Sequence, residues 1–402
     1  MPVLINPAGR FVVIDDPTAY ETWAAMPGFK KPDQKQEEEF LAKRREKIEN
    51  IVNPPKPKTS NKVYLATVSQ GGKDGYSLAS ARLISELKKL DILAQTHYDN
   101  QKVAILFHNP YSISRIESPY KIIYTMFESD KIPDDWKGYL DLADEVLVPS
   151  RWCQSVFKKA GVESRVVPLG YDSSIFTYTE RENKAKAHKP FVFLHYNAFN
   201  IRKGFPEVFK AFVDEFDPSE PVKMIFKTTV SPIPLPITKE KYPNIEIISG
   251  KTTETDLVDI IDRSDCFVFP SRGEGFGITP LECMATGMPA IVPNAHGISE
   301  YFNSEYMYEV KVGATCPALY SRYKNQDVGK MVVCDVPDLR ARMRWVYEHQ
   351  DEAQAMGKKA SEYVKKWTFV NTAKQMADII NLAMKKEVFD DPNKNKLVLE
   401  LI

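Results

Sequence analysis

The sequence has no long apolar run: it contains no stretch of about 18 apolar residues, the length that spans a bilayer. The start of the chain also lacks the short apolar segment typical of a secretory signal peptide. We therefore expect a cytoplasmic protein without a transmembrane segment. Peripheral contact with a membrane surface stays open.

An excess of either charge is also missing, because 54 basic residues balance 54 acidic residues and no long block of one sign occurs. The basic footprint typical of nucleic-acid-binding proteins is therefore missing, although a nucleic acid is not excluded as a substrate. The five cysteines lack the spacing of metal ligands, so we expect free, reduced thiols. They are Cys153, Cys266, Cys283, Cys316 and Cys334.

The length and the order of the predicted elements indicate the fold class. The 402 residues exceed the single core of about 250–300 residues at which chains divide, which favours at least two domains. Short apolar segments alternate with amphipathic helical stretches, as in doubly wound α/β domains. The predicted strands include 63–68, 103–107, 122–126, 146–148, 191–195, 266–270 and 290–292.

The segment 271–293 carries the strongest functional pattern. Glu274 and Glu282 lie eight residues apart around a glycine-rich turn that follows an apolar strand and opens a helix. In open α/β sheets, ligands bind beyond the carboxyl ends of the strands. Glu274 lies between glycines where no helix needs it, and an ionised carboxylate can accept hydrogen bonds from two hydroxyls.

The helix after this turn is predicted to begin with Thr279 as N-cap, Pro280 at N1 and Glu282 at N3. Its unpaired N–H groups and its positive dipole end would then hold a diphosphate without a metal. Glu282 has a second interpretation, because Thr279 and an N3 glutamate also form a capping box that contributes about 1 kcal/mol. Both interpretations stay open.

A basic pair, Arg202 and Lys203, follows the apolar strand 191–195 and precedes a helix predicted near 205–216. Taken alone, such a pair is most often solvated at the surface. Its place in register with the segment 271–293 favours a role in binding phosphate. A charged contact of this kind contributes about 1.5–3 kcal/mol.

The segment around Glu274 and Glu282 resembles the Glu-x7-Glu signature of the retaining family-four glycosyltransferases, which have the GT-B fold. The resemblance continues through 287–289, 290–292 and 297–300 in the family's order. It implies that Glu274 contacts the donor sugar and that Glu282 contacts the ribose. Donor contacts are also implied for the residues of the turn, which are Gly275, Phe276, Gly277, Ile278 and Thr279.

The resemblance also assigns roles after the strand 191–195. Lys203, together with Arg202, would neutralise the diphosphate as the catalytic cations beside Glu274. Asn197 lies where the family usually has an arginine and is a further donor-binding candidate.

In the first half of the chain, Gly71 and Gly72 lie in the loop 69–75, which approaches donor and acceptor in the family. His108 and Glu128 each end a predicted strand and are candidate cleft residues. A structural, hydrogen-bonded role is the alternative for both.

The resemblance implies an α/β GT-B fold, in which two Rossmann-like doubly wound domains face a cleft and an amino-terminal extension precedes them. The extension covers 1–61 and consists of a hairpin, a helix and a linker. An acceptor domain covers 62–172, and a nucleotide-sugar domain covers 173–365. Closing helices in 366–402 would cross back to the first domain.

The sequence therefore predicts a hexosyltransferase that moves a sugar from a nucleoside diphosphate to a hydroxyl with retention of the anomeric configuration. We expect no cofactor and no metal, because no Asp-x-Asp element follows a predicted strand. A sugar-nucleotide epimerase or hydrolase of the same fold and a non-catalytic nucleotide-sugar-binding protein are the alternatives. Polysaccharide, lipid, small molecule, protein and modified DNA base all stay open as acceptors.

Overall fold

The structure, a computed structural model, describes residues 2–14, 17–52, 62–66, 75–229, 238, 240–250, 252–323, 326–386, 394 and 397. The amino-terminal extension has the predicted antiparallel hairpin, with Val3 opposite Val13, and a long charged helix. Ile51 at the end of that helix is buried in the core of the first sheet. The elements are β1 (Val3–Ile5), β2 (Phe11–Val13), α1 (Pro17–Ala24) and α2 (Gln34–Val52). The predicted linker at 53–58 lies outside the described residues.

The first α/β unit contains a six-stranded parallel sheet with the strand order β4-β3-β5-β6-β7-β8. Its central strand β5 is buried at all five positions, because helices cover both faces of a parallel sheet. The elements are β3 (Lys62–Ala66), α3 (Gly75–Lys89), β4 (Leu93–Gln95), β5 (Val103–Phe107), β6 (Tyr120–Tyr124), α4 (Trp136–Leu140), β7 (Glu145–Val148), α5 (Arg151–Lys159) and β8 (Arg165–Val166).

The second unit repeats this architecture with the strand order β11-β10-β9-β12-β13-β14, again all parallel. The order reverses between β9 and β12, which places a topological switch point there. The elements are β9 (Phe191–Tyr196), α6 (Phe205–Glu215), β10 (Val222–Thr228), β11 (Ile245–Ser249), α7 (Glu254–Asp262), β12 (Cys266–Val268), α8 (Ile278–Ala285), β13 (Ala290–Val292) and β14 (Tyr308–Glu309). The two parallel sheets confirm the predicted α/β class.

The polar segment 181–189, which precedes β9, begins with a buried arginine. The Arg181 side chain is 5% exposed and donates to the carbonyls of Ile261, Ser264 and Thr286. It thereby ties the start of the second unit to the loops that flank β12. The polar composition of 181–189 gave no indication that the Arg181 side chain is buried.

An antiparallel hairpin that the sequence analysis did not predict follows the second sheet. It consists of β15 (Val312–Pro317) and β16 (Lys330–Cys334). We call residues 312–334 the bridging hairpin, because Ala318, Val328 and Met331 are buried in the core of the first unit. It therefore links the two units on one side of the cleft.

The carboxyl-terminal helices return to the first unit. Helix α11 packs against α3, and the Lys102 ammonium donates to the carbonyls of Met384 and Lys386. Gly170 lies directly against the start of α11, since a Cβ there would be 2.2 Å from the carbonyl carbon of Thr368. The helices are α9 (Val336–Glu348), α10 (Gln350–Tyr363) and α11 (Phe369–Lys385). The boundaries of the four predicted parts stay predictions.

Candidate active site

The candidate site lies at the switch point of the second sheet. Strands β9 and β12 are neighbours, with Phe193 opposite Cys266, so the loops that follow them meet at one edge. The two loops are joined through Arg202, whose carbonyl accepts from the N–H of Arg272 at 2.7 Å and from the Ser271 hydroxyl at 3.1 Å. The residues predicted from both loops therefore share one site.

Glu274 is buried at the centre of this site and accepts three hydrogen bonds on one oxygen. Its Oε1 lies 2.8 Å from Lys203 Nζ, 3.2 Å from an Arg202 guanidinium nitrogen and 2.6 Å from the Ser271 hydroxyl. Burial acts to raise the pKa of Glu274, but Lys203, Arg202 and the Ser271 hydroxyl outweigh it and lower the pKa to about 2. The carboxylate is therefore ionised at every physiological pH.

The two cations respond differently to their surroundings. Burial lowers the pKa of Lys203, and the nearby positive charge of Arg202 lowers it further, while Glu274 opposes both effects. For Arg202, burial acts downward as well, but Glu128 and then Glu274 raise its pKa above the ordinary value. We conclude that Arg202 is the permanently charged member of the pair.

Local structure explains why the basic pair faces the cleft. Asn200 caps a short 3₁₀ turn by accepting from the N–H of Arg202 at 2.8 Å. Gly204 follows in the left-handed region at φ 79°, and a Cβ there would lie 2.2 Å from the carbonyl oxygen of Pro270. Only glycine fits this approach, which brings α6 and the basic pair against the β12 loop.

Helix α8 begins two residues earlier than predicted. Its N-cap is Gly277, at φ 87°, and no side chain caps it, so the prediction of Thr279 as N-cap was wrong. Glu282 is then the fifth helical residue rather than N3, which excludes the capping-box interpretation. The first-turn N–H groups have no acceptors within the helix, and those of Ile278 and Thr279 are among them.

Glu282 lies in α8 and is partly buried. No hydrogen bond or ion pair to Glu282 is found among the described residues. Burial raises the pKa of Glu282 to about 7; Arg82 counteracts this, while Glu254 and Asp172 add to it. Arg82 is itself ion-paired with Asp172 and, at 2.7 Å, with Glu254.

Asn197 directly follows β9, and its side chain is nine-tenths buried. Its backbone N–H donates to the carbonyl of Lys227 and so continues the sheet, whereas its side-chain nitrogen has no hydrogen-bond partner within the described structure. A buried donor without a partner costs about 1–3 kcal/mol.

Two residues of the glycine-rich turn face protein rather than an open cleft. Gly275 packs on the first unit, since a Cβ there would lie 2.6 Å from the Met126 side chain, and its carbonyl accepts from the Ser150 hydroxyl. The Phe276 ring is buried against Tyr301. The side chain of Phe276 is therefore enclosed by protein, and a contact of this residue with a donor stays a prediction.

The first unit contributes the opposite wall. Glu128 lies beyond the end of β6 and faces Arg202, with 3.6 Å between its Oε1 and a guanidinium nitrogen. His108 follows β5 and contacts the ring of Tyr76. Gly71 and Gly72 lie outside the described residues.

The sequence analysis missed three residues of the site. Ser271 donates to Glu274, and Tyr320 of the bridging hairpin donates to Glu128 at 3.2 Å. His296 is buried at φ 42°, and one ring nitrogen lies 2.9 Å from the Ser271 carbonyl. Ser271 stood in the recognised motif, but nothing local in the sequence indicated the long-range contact of Tyr320.

A metal centre is not found in the described part of the chain, where no cluster of three His, Cys, Asp or Glu side chains has suitable geometry. None of the described helices combines the length and apolar character that crossing a bilayer requires. The cysteines are free thiols, and all except Cys316 are buried.

The stretch that holds Lys203, Glu274 and Glu282 matches a known family model, described as Glycosyl transferases group 1, over residues 177–313. Over this stretch the chain is similar to the glycosyl transferases of group 1. The chain also resembles HepE of Anabaena, solved in complex with UDP-glucose, with a TM-score of 0.60 at 12% identity. That superposition covers 80% of this chain and 99% of HepE, and it confirms the GT-B fold.

Curated relatives of the chain include ORF313 of Acidianus filamentous virus 1, whose name classes it as a glycosyltransferase. It is 27% identical over 217 residues, which are 52% of this chain and 62% of ORF313. The alpha-monoglucosyldiacylglycerol synthase of Streptococcus pneumoniae is 27% identical over 184 residues, or 42% of this chain and 40% of the synthase. The chain thus matches less than two thirds of the length of these relatives.

Proposed function

We propose that the protein is a retaining glycosyltransferase that moves a sugar from a nucleoside diphosphate to a hydroxyl acceptor. The observation that supports this most is the contact of Glu274 with Lys203 and Arg202 at the switch point, within the stretch that matches the group 1 model. A carboxylate suited to sugar hydroxyls and two cations suited to a diphosphate lie there in direct contact.

In the proposed reaction the bond between the anomeric carbon and the diphosphate oxygen breaks while a bond to the acceptor oxygen forms. The proton of the acceptor hydroxyl leaves with the departing diphosphate. Negative charge grows on that diphosphate, and Arg202, Lys203 and the amino terminus of α8 would stabilise it. This electrostatic role needs no metal.

Glu274 would bind the sugar through Oε2, because the three protein donors converge on Oε1. Glu282 would accept from the ribose hydroxyls, and the buried side-chain nitrogen of Asn197 would donate to the donor phosphates. Two relatives support glycosyl transfer in general, since ORF313 carries a glycosyltransferase name and the pneumococcal protein is named a monoglucosyldiacylglycerol synthase. The acceptor of this chain stays open between lipid, polysaccharide, small molecule, protein and modified DNA base.

The test is a thermal-shift panel of UDP, GDP, ADP and their glucose or mannose derivatives, followed by assays of donor consumption. A ligand that binds only the native state raises the midpoint, so one base should give a shift. Consumption that depends on an added hydroxyl acceptor supports a transferase. Consumption without an acceptor indicates a hydrolase or epimerase, and binding without consumption indicates a non-catalytic protein.

A further inference from the structure

The bridging hairpin belongs in sequence to the second unit but docks on the first one. The Asp130 N–H donates to the Lys330 carbonyl at 3.2 Å, while an Asp130 carboxylate oxygen accepts from the Lys330 N–H at 2.6 Å. The Ser129 hydroxyl donates to the carbonyl of Val328. These contacts hold the hairpin beside the loop that carries Glu128.

Tyr320 extends from this hairpin to Glu128. Its hydroxyl lies 3.2 Å from Glu128 Oε2, and its ring packs against Phe127 at 5.2 Å between centroids. Burial and the charge of Glu128 raise the pKa of Tyr320 well above its ordinary value, so the hydroxyl stays protonated and donates. The other carboxylate oxygen of Glu128 faces Arg202.

Arg202 is therefore held from both sides of the cleft. Its guanidinium contacts Glu128 of the first unit, Glu274 of the second unit and the Gly273 carbonyl, the last at 2.6 Å. The loops themselves touch, since a Cβ on Gly273 would lie 2.0 Å from the Glu128 carbonyl oxygen. An arginine side chain held in this way keeps one conformation before a ligand arrives.

We propose that Glu128, fixed by Tyr320, is a positioning residue that orients Arg202 toward the donor diphosphate. The diphosphate site is then complete only when the first unit and the bridging hairpin are in place. A pre-organised guanidinium loses less conformational freedom on binding, which strengthens donor affinity. This inference rests on the proposed function of the same site.

The test measures the Kd of the nucleoside diphosphate selected by the panel, together with kcat and KM for its sugar donor, in Glu128→Gln and Tyr320→Phe. We expect Kd and KM to rise about tenfold in Glu128→Gln and about threefold in Tyr320→Phe, because each removes a contact in the chain that ends at Arg202. Tyr323→Phe is the matched control, since Tyr323 lies in the same hairpin and does not contact Glu128. Its Kd should be unchanged.

A double-mutant cycle separates positioning from a merely structural role. In an Arg202→Gln background, Glu128→Gln should weaken binding by less than twofold, because the guanidinium that it orients is gone. Equal effects of Glu128→Gln in both backgrounds, or equal effects of Tyr320→Phe and Tyr323→Phe, would overturn the proposal. If Glu128→Gln does not fold, Tyr320→Phe provides the same comparison. A wild-type protein that binds no diphosphate refutes the proposed function itself, whereas normal wild-type activity with additive variants refutes only the positioning role.

Discussion

At the scale of single residues, Glu274 organises the site because its carboxylate contacts both cations of the loop after β9. Its pKa of about 2 lies below the ordinary value of 4.5, so its ionised form stabilises the fold above pH 4.5. That contribution is lost as the pH falls from 4.5 towards 2. At neutral pH the carboxylate is available to bind sugar.

We expect Glu274→Gln to lower kcat by at least about a hundredfold, because an amide cannot balance the two cations or accept strongly from the sugar hydroxyls. The free energy of unfolding should fall by only about 1–3 kcal/mol, since the amide oxygen still accepts a hydrogen bond. Initial-rate assays and urea denaturation measure both quantities.

The matched control is Glu246→Gln, which alters an exposed ion pair with Arg263 on the same sheet and should change neither quantity. Retention of normal turnover by Glu274→Gln would contradict the assignment of Glu274.

Glu282 gives a pH-dependent prediction. With a pKa of about 7 it is protonated in the unliganded protein below that pH, whereas ribose hydroxyls bind the ionised form better. The affinity for a nucleotide sugar should therefore rise about fivefold from pH 6 to pH 7, reach about tenfold by pH 8 and level off above that pH. Isothermal titration across this range measures the change.

The Glu282→Gln variant serves as the control, because its affinity should not vary with pH in this window. A wild-type affinity that is flat from pH 6 to pH 8 would rule out a ribose contact through an ionised Glu282. The raised pKa also implies that the unliganded protein loses stability as the pH rises from 4.5 towards 7, because its folded state holds the proton more tightly.

The sequence analysis identified the site residues that lie within short sequence motifs. Glu274, Lys203 and Arg202 lie in contact because each follows a strand of the switch point, and the family resemblance had implied that they share one site. Tyr320 was missed because its contact with Glu128 joins positions far apart in the chain, on an unrecognised hairpin. Arg181 was missed because burial of a charge has no local sequence signal.

At the scale of elements, the start of α8 decides where its unpaired N–H groups lie, and these are the groups proposed to bind the diphosphate. The Thr-Pro pair at 279–280 is a strong local signal for a helix start, but a glycine in the left-handed region can begin the helix earlier without a side-chain cap. The predicted helix start was therefore two residues late, because both Gly277 and Thr279 are residues at which a helix can begin.

We expect Gly277→Ala to weaken donor binding and to lower the free energy of unfolding by about 1–2 kcal/mol, because alanine disfavours the left-handed region. Its Cβ would also lie 3.1 Å from the Tyr301 hydroxyl and 3.3 Å from Ile298. Thermal denaturation with and without the selected nucleotide measures both effects.

Gly9→Ala provides the comparison, since Gly9 has φ 75° and no atom within 4 Å of an added Cβ. It should show the backbone cost without any loss of donor affinity. Equal donor affinity in the two variants would mean that the amino terminus of α8 does not bind the donor.

At the scale of the whole molecule, α11 follows the second unit in the chain but packs on α3 of the first unit, and this connects the two units. The alternation of strands and helices was sufficient to predict both sheets, but not the bridging hairpin, whose exposed β15 lacks the apolar pattern of a core strand. The contact between Gly170 and Thr368 marks the place where the chain leaves the first unit and later comes back.

We expect Gly170→Ala to lower the free energy of unfolding by about 3 kcal/mol or more, because the added Cβ would overlap the backbone of Thr368 at 2.2 Å. Urea denaturation measures the change. Leu382→Ala, on the exposed side of α11, is the control and should stay within about 0.5 kcal/mol of wild type. A Gly170→Ala protein as stable as this control would show that the backbone at Thr368 can move away from residue 170 without loss of stability.

The return of α11 has a consequence for synthesis on the ribosome. Met376 and Ile380 belong to the same buried cluster as Val63 and Leu83, so the first unit cannot complete its core when its own strands emerge. Part of its apolar surface stays exposed until the second unit and then α11 have been synthesised. Such high contact order slows folding and lengthens the time during which a nascent chain depends on chaperones.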